Sequence, residues 1–175
     1  MIKWYGSAHD LKSVALRYFN VAGAMEDGSI GEAHNPETHL IPIILQVAKG
    51  IRDKITVFGN DYPTKDGTCI RDYIHVMDLC EAHVLALEYL LLGNPSANFN
   101  LGSGEGFSVL EMIEAARKVT KHPIPLQIGE RRAGDPAVLI ASSDKARKTL
   151  NWNPTRENIE TMIKDAWCWE QQRKY

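Results

Sequence analysis

The chain has 175 residues, of which 44% are hydrophobic and 24% charged, with a formal net charge of −2. That balance fits a globular chain with room for one core and about half a domain more. With no basic run, it argues against nucleic acid as the main partner, although a small anion needs only two or three placed cations.

The first residues, Met1 to Tyr5, carry Ile2, Trp4 and Tyr5 without a helix cap, so the chain reads as starting inside an element. Ser13 to Phe19 alternates as a strand that ends at Asn20 and a turn containing Gly23. Met25 to Thr38 is polar and turn-rich. A helix follows, because Leu40, Ile44, Val47, Ala48 and Ile51 recur at helical spacing and Pro42 falls in the first turn. Ile55 to Phe58 is a short strand stopped by Gly59-Asn60-Asp61, and Thr68 to Val76 is a second extended run. Asp78 and Glu81 suggest a capping box for a helix reaching Leu92, apolar on nearly all faces and therefore expected between layers.

Asn98 to Leu101 predicts a strand that leads into Gly102-Ser103-Gly104. Ser108 and Glu111 form a second capping-box pattern, with Val109, Met112, Ile113, Ala116 and Val119 on one helical face. Pro123 and Pro125 close that helix ahead of a strand at Leu126 to Ile128. A polar loop runs from Gly129 to Pro136 and an apolar run from Ala137 to Ala141. Ser143 to Leu150 is a short helix, and Thr155 to Gln172 a longer one with Ile159, Met162, Ile163, Ala166 and Trp169 inward. Strands alternating with helices give an α/β chain without repeats.

Cys69, Cys80 and Cys168 fit no metal or redox spacing and are expected as buried thiols. The longest apolar stretch, Val84 to Leu92, is broken by Glu88 and too short for a membrane span. MIKWYG lacks a signal-peptide core, so the expected location is cytoplasmic, with no membrane partner.

Arg71, at the start of an extended run, suits phosphate oxygens as a bidentate fork; the alternative is an internal ion pair with Asp66 or Asp72. Arg131 and Arg132 in a glycine-containing loop suit a diphosphate, and Asp135 a ribose hydroxyl; the alternative is a solvated loop. Asn20 follows a strand end, where open α/β sheets place ligand groups, but a turn asparagine explains it too. The glycines at 102, 104 and 106 are explained by the capped helix that follows. His39 starts a helix and can touch a ligand. His75, His83 and His122 show no mutual metal spacing, and no metal is expected.

Five runs occur together in order: 16–24 (LRYFNVAGA), 38–42 (THLIP), 59–76 (GNDYPTKDGTCIRDYIHV), 98–104 (NFNLGSG) and 131–136 (RRAGDP). This set resembles the UDP-glucose 4-epimerases, extended short-chain dehydrogenases/reductases, over essentially the whole chain. The resemblance implies the C-terminal, substrate-binding part of a Rossmann-type α/β fold without its N-terminal dinucleotide-binding half. Residues 1–24 would be a remnant of the NAD domain, and 25–175 mainly the UDP-sugar-binding domain. It implies sugar-nucleotide contacts at Asn20, His39 and Leu40, and a uracil lying along Thr56, Val57 and Phe58. It also places the diphosphate on Arg71 and Arg132 and the uridine ribose on Asp135. Phe19, with Tyr18, would approach the nicotinamide of NAD. Leu139 falls where some relatives carry a tyrosine near the sugar C2 substituent, which leaves N-acetylated sugars (UDP-GlcNAc, UDP-GalNAc) open beside UDP-glucose and UDP-galactose.

Epimerases of this kind move hydride between sugar C4 and NAD, with a tyrosine of a Y-x-x-x-K motif as base. None of the six tyrosines here has lysine four positions on, and no G-x-x-G-x-x-G turn is present. The expectation is a truncated chain that carries UDP-sugar contacts but no catalytic residue, has no activity or stable NAD site alone, and self-associates as a dimer through uncovered apolar surface. Two alternatives are a stand-alone UDP-sugar-binding module and a fragment of another sugar-nucleotide epimerase or dehydratase; the 61–67 segment weighs against the latter.

Overall fold

A computed structural model describes residues 1–173; Tyr175, one of the six tyrosines, lies outside them. Helix α1 (Ile2–His9) leads to β1 (Val14–Arg17) and β2 (Asn20–Ala22). After a long loop come α2 (Leu40–Ala48), β3 (Ile55–Phe58), β4 (Ile70–His75) and α3 (Val76–Leu91). Then follow β5 (Ala97–Asn100), β6 (Gly106–Ser108), α4 (Val109–Thr120), β7 (Leu126–Gly129), β8 (Val138–Leu139), α5 (Asp144–Leu150) and α6 (Ile159–Gln172).

The extended run expected through Phe19 breaks at Tyr18-Phe19, and its two pieces pair with different strands. β1 runs parallel to β5, with Val14 opposite Ala97, whereas β2 runs parallel to the end of β4, with Asn20 opposite Tyr73. The start of β4 is shared by two further strands: antiparallel β6, with Arg71 opposite Phe107, and parallel β8, with Arg71 opposite Leu139. β3 and β7 form a separate parallel pair.

Two apolar clusters hold these pieces. The larger joins α2, β3, α4 and α6 through Ile44, Leu45, Val57, Met112, Ile113, Met162 and Ile163. The second joins α3, β5 and α5 through Leu79, Ala82, Phe99, Leu101, Ala146 and Leu150, with Trp152 sealed inside it. The indole N–H of Trp152 donates to the Asp78 carbonyl at 2.9 Å, which keeps its one polar group satisfied.

Sequence patterning places most elements, and four local expectations are corrected. The cap of α3 is His75, whose Nδ1 accepts from the Met77 N–H at 3.1 Å. Asp78 instead lies buried in the first turn and accepts from the Arg156 N–H at 2.9 Å and its guanidinium at 3.0 Å. Helix α3 buries only one face; Val84, Leu87, Leu91 and Leu92 are exposed. Ile51 falls beyond α2, which ends ahead of Gly50, and is also exposed. Among the cysteines, Cys80 is exposed, and Cys69 and Cys168 are half-buried. The Ser108 box forms in full: its hydroxyl accepts from the Glu111 N–H at 3.0 Å and the Glu111 carboxylate from the Ser108 N–H at 2.9 Å.

Candidate functional site

A cavity of about 900 Å³ opens where β2, the loop before α2, β3, β4 and the 129–136 loop converge. That volume is within the usual range for small-molecule sites. β3 contributes by simple alternation: Ile55 and Val57 pack into the core, while Thr56 is half-exposed and Phe58 exposed. Arg71 and Tyr73 of β4, with Cys69 just before it, reach the same cavity at every second position along one wall. Gly59 ends β3 at φ +84°, and a Cβ there would run into the Tyr62 ring and the Arg131 stem.

Arg71 is the most constrained cation of the wall. Its guanidinium donates to the carbonyl of the preceding Ile70 at 2.7 Å and to the Asp135 carboxylate across the cavity edge. Neither Asp66 nor Asp72, the partners considered from sequence, takes it. The Asp66 carboxylate is pushed up by burial but outweighed by hydrogen bonds from Ser108 and Thr68, which leave it below its ordinary value. Asp72 is buried and accepts from the Ser103 N–H and hydroxyl, both at 2.9 Å, and from the Ala141 N–H at 3.0 Å. Gly102 lies so close to Asp72 that no Cβ fits, which explains the glycine there without a ligand.

The second cation is Arg132, whose guanidinium carbon stands 4.0 Å above the Phe58 ring. Its neighbour Arg131 faces away from this role, bonding Asp61 at 2.6 Å and covering Tyr62 at 4.2 Å. Asn20 donates to the Asp72 carbonyl at 2.9 Å, which fixes its amide at the floor. His39 stands at the N-cap position of α2.

Of the residues singled out from sequence, the cavity brings together Phe19, Asn20, His39, Leu40, Thr56, Phe58, Arg71, Arg132 and Asp135. Val57 turns its side chain into the core, and Leu139 and Tyr18 are outside the cavity lining. Sequence reading missed Cys69, Tyr73, Met77 and Glu32. Cys69 and Tyr73 were accessible to it, since they lie two positions either side of Arg71 in the extended run 68–76. Burial pushes both the Cys69 thiol and the Tyr73 phenol up, so both are neutral wall groups near pH 7.

An NAD site is a separate question. A dinucleotide turn needs glycines between a strand and a helix N-terminus facing the pyrophosphate. Among the described residues the glycine-rich segment 102–106 instead packs on Asp72, Ile70 and Ile140 and leads into β6. This segment therefore does not form a dinucleotide-binding turn.

Among the described residues no helix is long and apolar enough to cross a membrane. Residues 1–102 match the NAD dependent epimerase/dehydratase family. The chain is 60% identical over 171 residues to the UDP-glucose 4-epimerase of Lacticaseibacillus casei, covering 98% of this chain and 52% of that protein. A crystal structure of a UDP-glucose 4-epimerase superposes with a TM-score of 0.96 at 56% identity, covering 99% of this chain and 53% of the other. The UDP-glucose 4-epimerase from Bifidobacterium longum in complex with NAD+ and UDP gives 0.90 at 38% identity, covering 98% and 51%. The chain thus spans about half the length of the relatives it matches. It belongs to the NAD dependent epimerase/dehydratase family.

Proposed function

We propose that this chain is the sugar-nucleotide-binding part of a UDP-glucose 4-epimerase, and that it binds UDP-glucose and UDP-galactose without interconverting them on its own. The observation that carries this is the cavity wall itself: Arg71 and Arg132 stand on one opening with the Phe58 ring and the Asp135 carboxylate. Two cations suit two phosphates, an exposed aromatic suits a flat base and a carboxylate suits a ribose diol. Val57 and Leu139, whose side chains stand away from the opening, contribute backbone and spacing in this reading, and Tyr18 with Phe19 marks the side from which NAD would approach.

Turnover needs groups that these residues do not include, since no tyrosine carries a lysine four positions on. The cluster formed by β1, β5, α3 and α5 supports assigning those elements, with residues 1–24, to a nucleotide-fold portion, and most of 25–175 to the sugar side. The exposed Ile2, Trp4, Leu87 and Leu91 support self-association as a dimer. A cytoplasmic location accords with three free cysteines.

Incubating the purified chain with UDP-galactose, with and without added NAD, tests the division of labour. The reading predicts binding with no UDP-glucose formed; turnover by the chain alone would overturn it. Competition of UDP-GlcNAc against UDP-glucose on the same preparation measures whether the Leu139 region admits the N-acetyl group.

A further inference from the structure

Glu32, His34, Glu37 and His39 lie in the loop before α2 and at its first turn, and each turns one potential ligand atom toward a common point. The four atoms lie within 4.8 Å of one another. His39 Nδ1 contacts the Glu32 carboxylate and stands 3.4 Å from Glu37 Oε1, while His34 Nδ1 is 3.8 Å from the same oxygen. Ligand atoms around a tetrahedral cation with bonds of about 2.1 Å stand roughly 3.4 Å apart, so these separations bracket that value.

The donor set defines the cation. Two imidazoles with two carboxylates suit a borderline divalent transition ion, whereas magnesium and calcium take oxygen shells. The site is partly preorganised. The Glu37 side chain is only 4% exposed, and its Oε1 is aimed by the N–H groups of Thr38 and His39, both at 2.7 Å. The loop is tied from behind by the Trp169 indole, which donates to the Glu32 carbonyl at 2.8 Å. Among the described residues no lysine or arginine forms an ion pair with the Glu32 or Glu37 carboxylate, and the Arg52 guanidinium donates to the Glu37 main-chain carbonyl instead. A plain histidine–carboxylate hydrogen-bond cluster gives the same contacts without an ion, and Co²⁺ binding separates the two.

We propose that Glu32, His34, Glu37 and His39 bind one divalent transition cation of the zinc class. The cation cross-links the loop to the start of α2. Because Glu32 and His39 also line the cavity, it fixes that rim independently of what the cavity binds.

The test uses the metal-free whole chain with Co²⁺ as the probe and Zn²⁺ as competitor. The expected result is one saturable site with the intense visible absorption of four-coordinate Co²⁺, abolished by equimolar Zn²⁺. His34→Ala and His39→Ala should each weaken binding by at least ~10-fold, since even outer-shell changes at metal sites cost that much. Both side chains are substantially exposed, so these variants keep the fold, and His122→Ala serves as the control that retains the site. No four-coordinate spectrum, or binding that survives His34→Ala and His39→Ala, overturns the proposal.

Discussion

Arg71 and Asp135, 64 positions apart, form an ion pair that closes the edge of the cavity where β4 meets the 129–136 loop. Both are partly buried, with side chains 13% and 28% exposed, so the pair is more than a solvated surface contact. In the proposed reading the same two groups are divided between ligand parts, the cation to a phosphate and the carboxylate to a ribose.

That division gives a prediction with opposite signs. Asp135→Ala removes the neutralising partner of Arg71, so inorganic pyrophosphate should bind more tightly. UDP should bind more weakly, by roughly 10-fold, because a charge-assisted hydrogen bond contributes about 1.5–3 kcal/mol. The preference for UDP over 2′-deoxy-UDP should shrink as well. Calorimetric titration of the three ligands checks it, and equal weakening of pyrophosphate and UDP would sink the assignment of Asp135 to the ribose.

Phe58 should matter to the base and not to the phosphates. Phe58→Leu keeps an apolar group but removes the flat ring beneath Arg132. Aromatic contacts of this kind contribute about 0.5–1.5 kcal/mol, so UDP affinity should fall by roughly 2- to 10-fold with pyrophosphate binding nearly unchanged. A matched loss for both ligands would place the ring's role in holding Arg132 instead.

His75 predicts a pH dependence of stability. Its Nδ1 accepts from the Met77 N–H and its Nε2 faces Asp165 Oδ2 at 3.2 Å, so the neutral Nε2–H form fits both partners. Burial holds its pKa below the ordinary 6.5, against the opposing pull of Asp165 and Asp78. Well above pH 6.5 the ring is neutral folded and unfolded, and its contribution is flat. Below that the unfolded chain takes up the proton first, so stability declines as pH falls until the native ring also titrates. Urea midpoints on either side of pH 6.5 should show this slope in the native chain and less of it in His75→Gln. An unchanged slope in the variant would assign it to other groups.

Ser108 joins three features: it caps α4, its hydroxyl contacts Asp66, and its backbone pairs with Ile70 of β4. Ser108→Ala should therefore cost about 1–2 kcal/mol of stability, the upper range for a cap, because the residue is buried. Thermal or urea unfolding measures it; a loss within experimental scatter would mean that water replaces the cap.

Much of this was readable in the sequence, for physical reasons that differ by element. Ser108 and Glu111 announced α4 because a capping box is a local pattern that needs no tertiary partner. The pairing of Arg71 with Asp135 was not legible, since nearer carboxylates at Asp66 and Asp72 competed for it on paper. Those two turn out to be consumed by Thr68, Ser108, Ser103 and Ala141, contacts that only the folded sheet creates. The false capping box at Asp78 has the same origin: a distant arginine, Arg156, claims the carboxylate and leaves the cap to His75. The break between β1 and β2 was invisible because one apolar run can serve two sheets without a change in its pattern.

The exposed stripe of Val84, Leu87 and Leu91 on α3, with Ile2 and Trp4 on α1, bears on association. Light scattering should give a mass of at least twice the chain's 19.6 kDa. Leu87→Glu should shift it toward the monomer, and a monodisperse monomer of the unmodified chain would contradict the proposed dimer.

The central claim is that these residues hold a uridine diphosphate site by themselves, and titration of UDP into the purified chain tests it most directly. The account predicts saturable one-to-one binding that is lost in Arg132→Ala and in Arg71→Ala while both variants stay folded. No binding to the folded chain, or binding untouched by both substitutions, would contradict it.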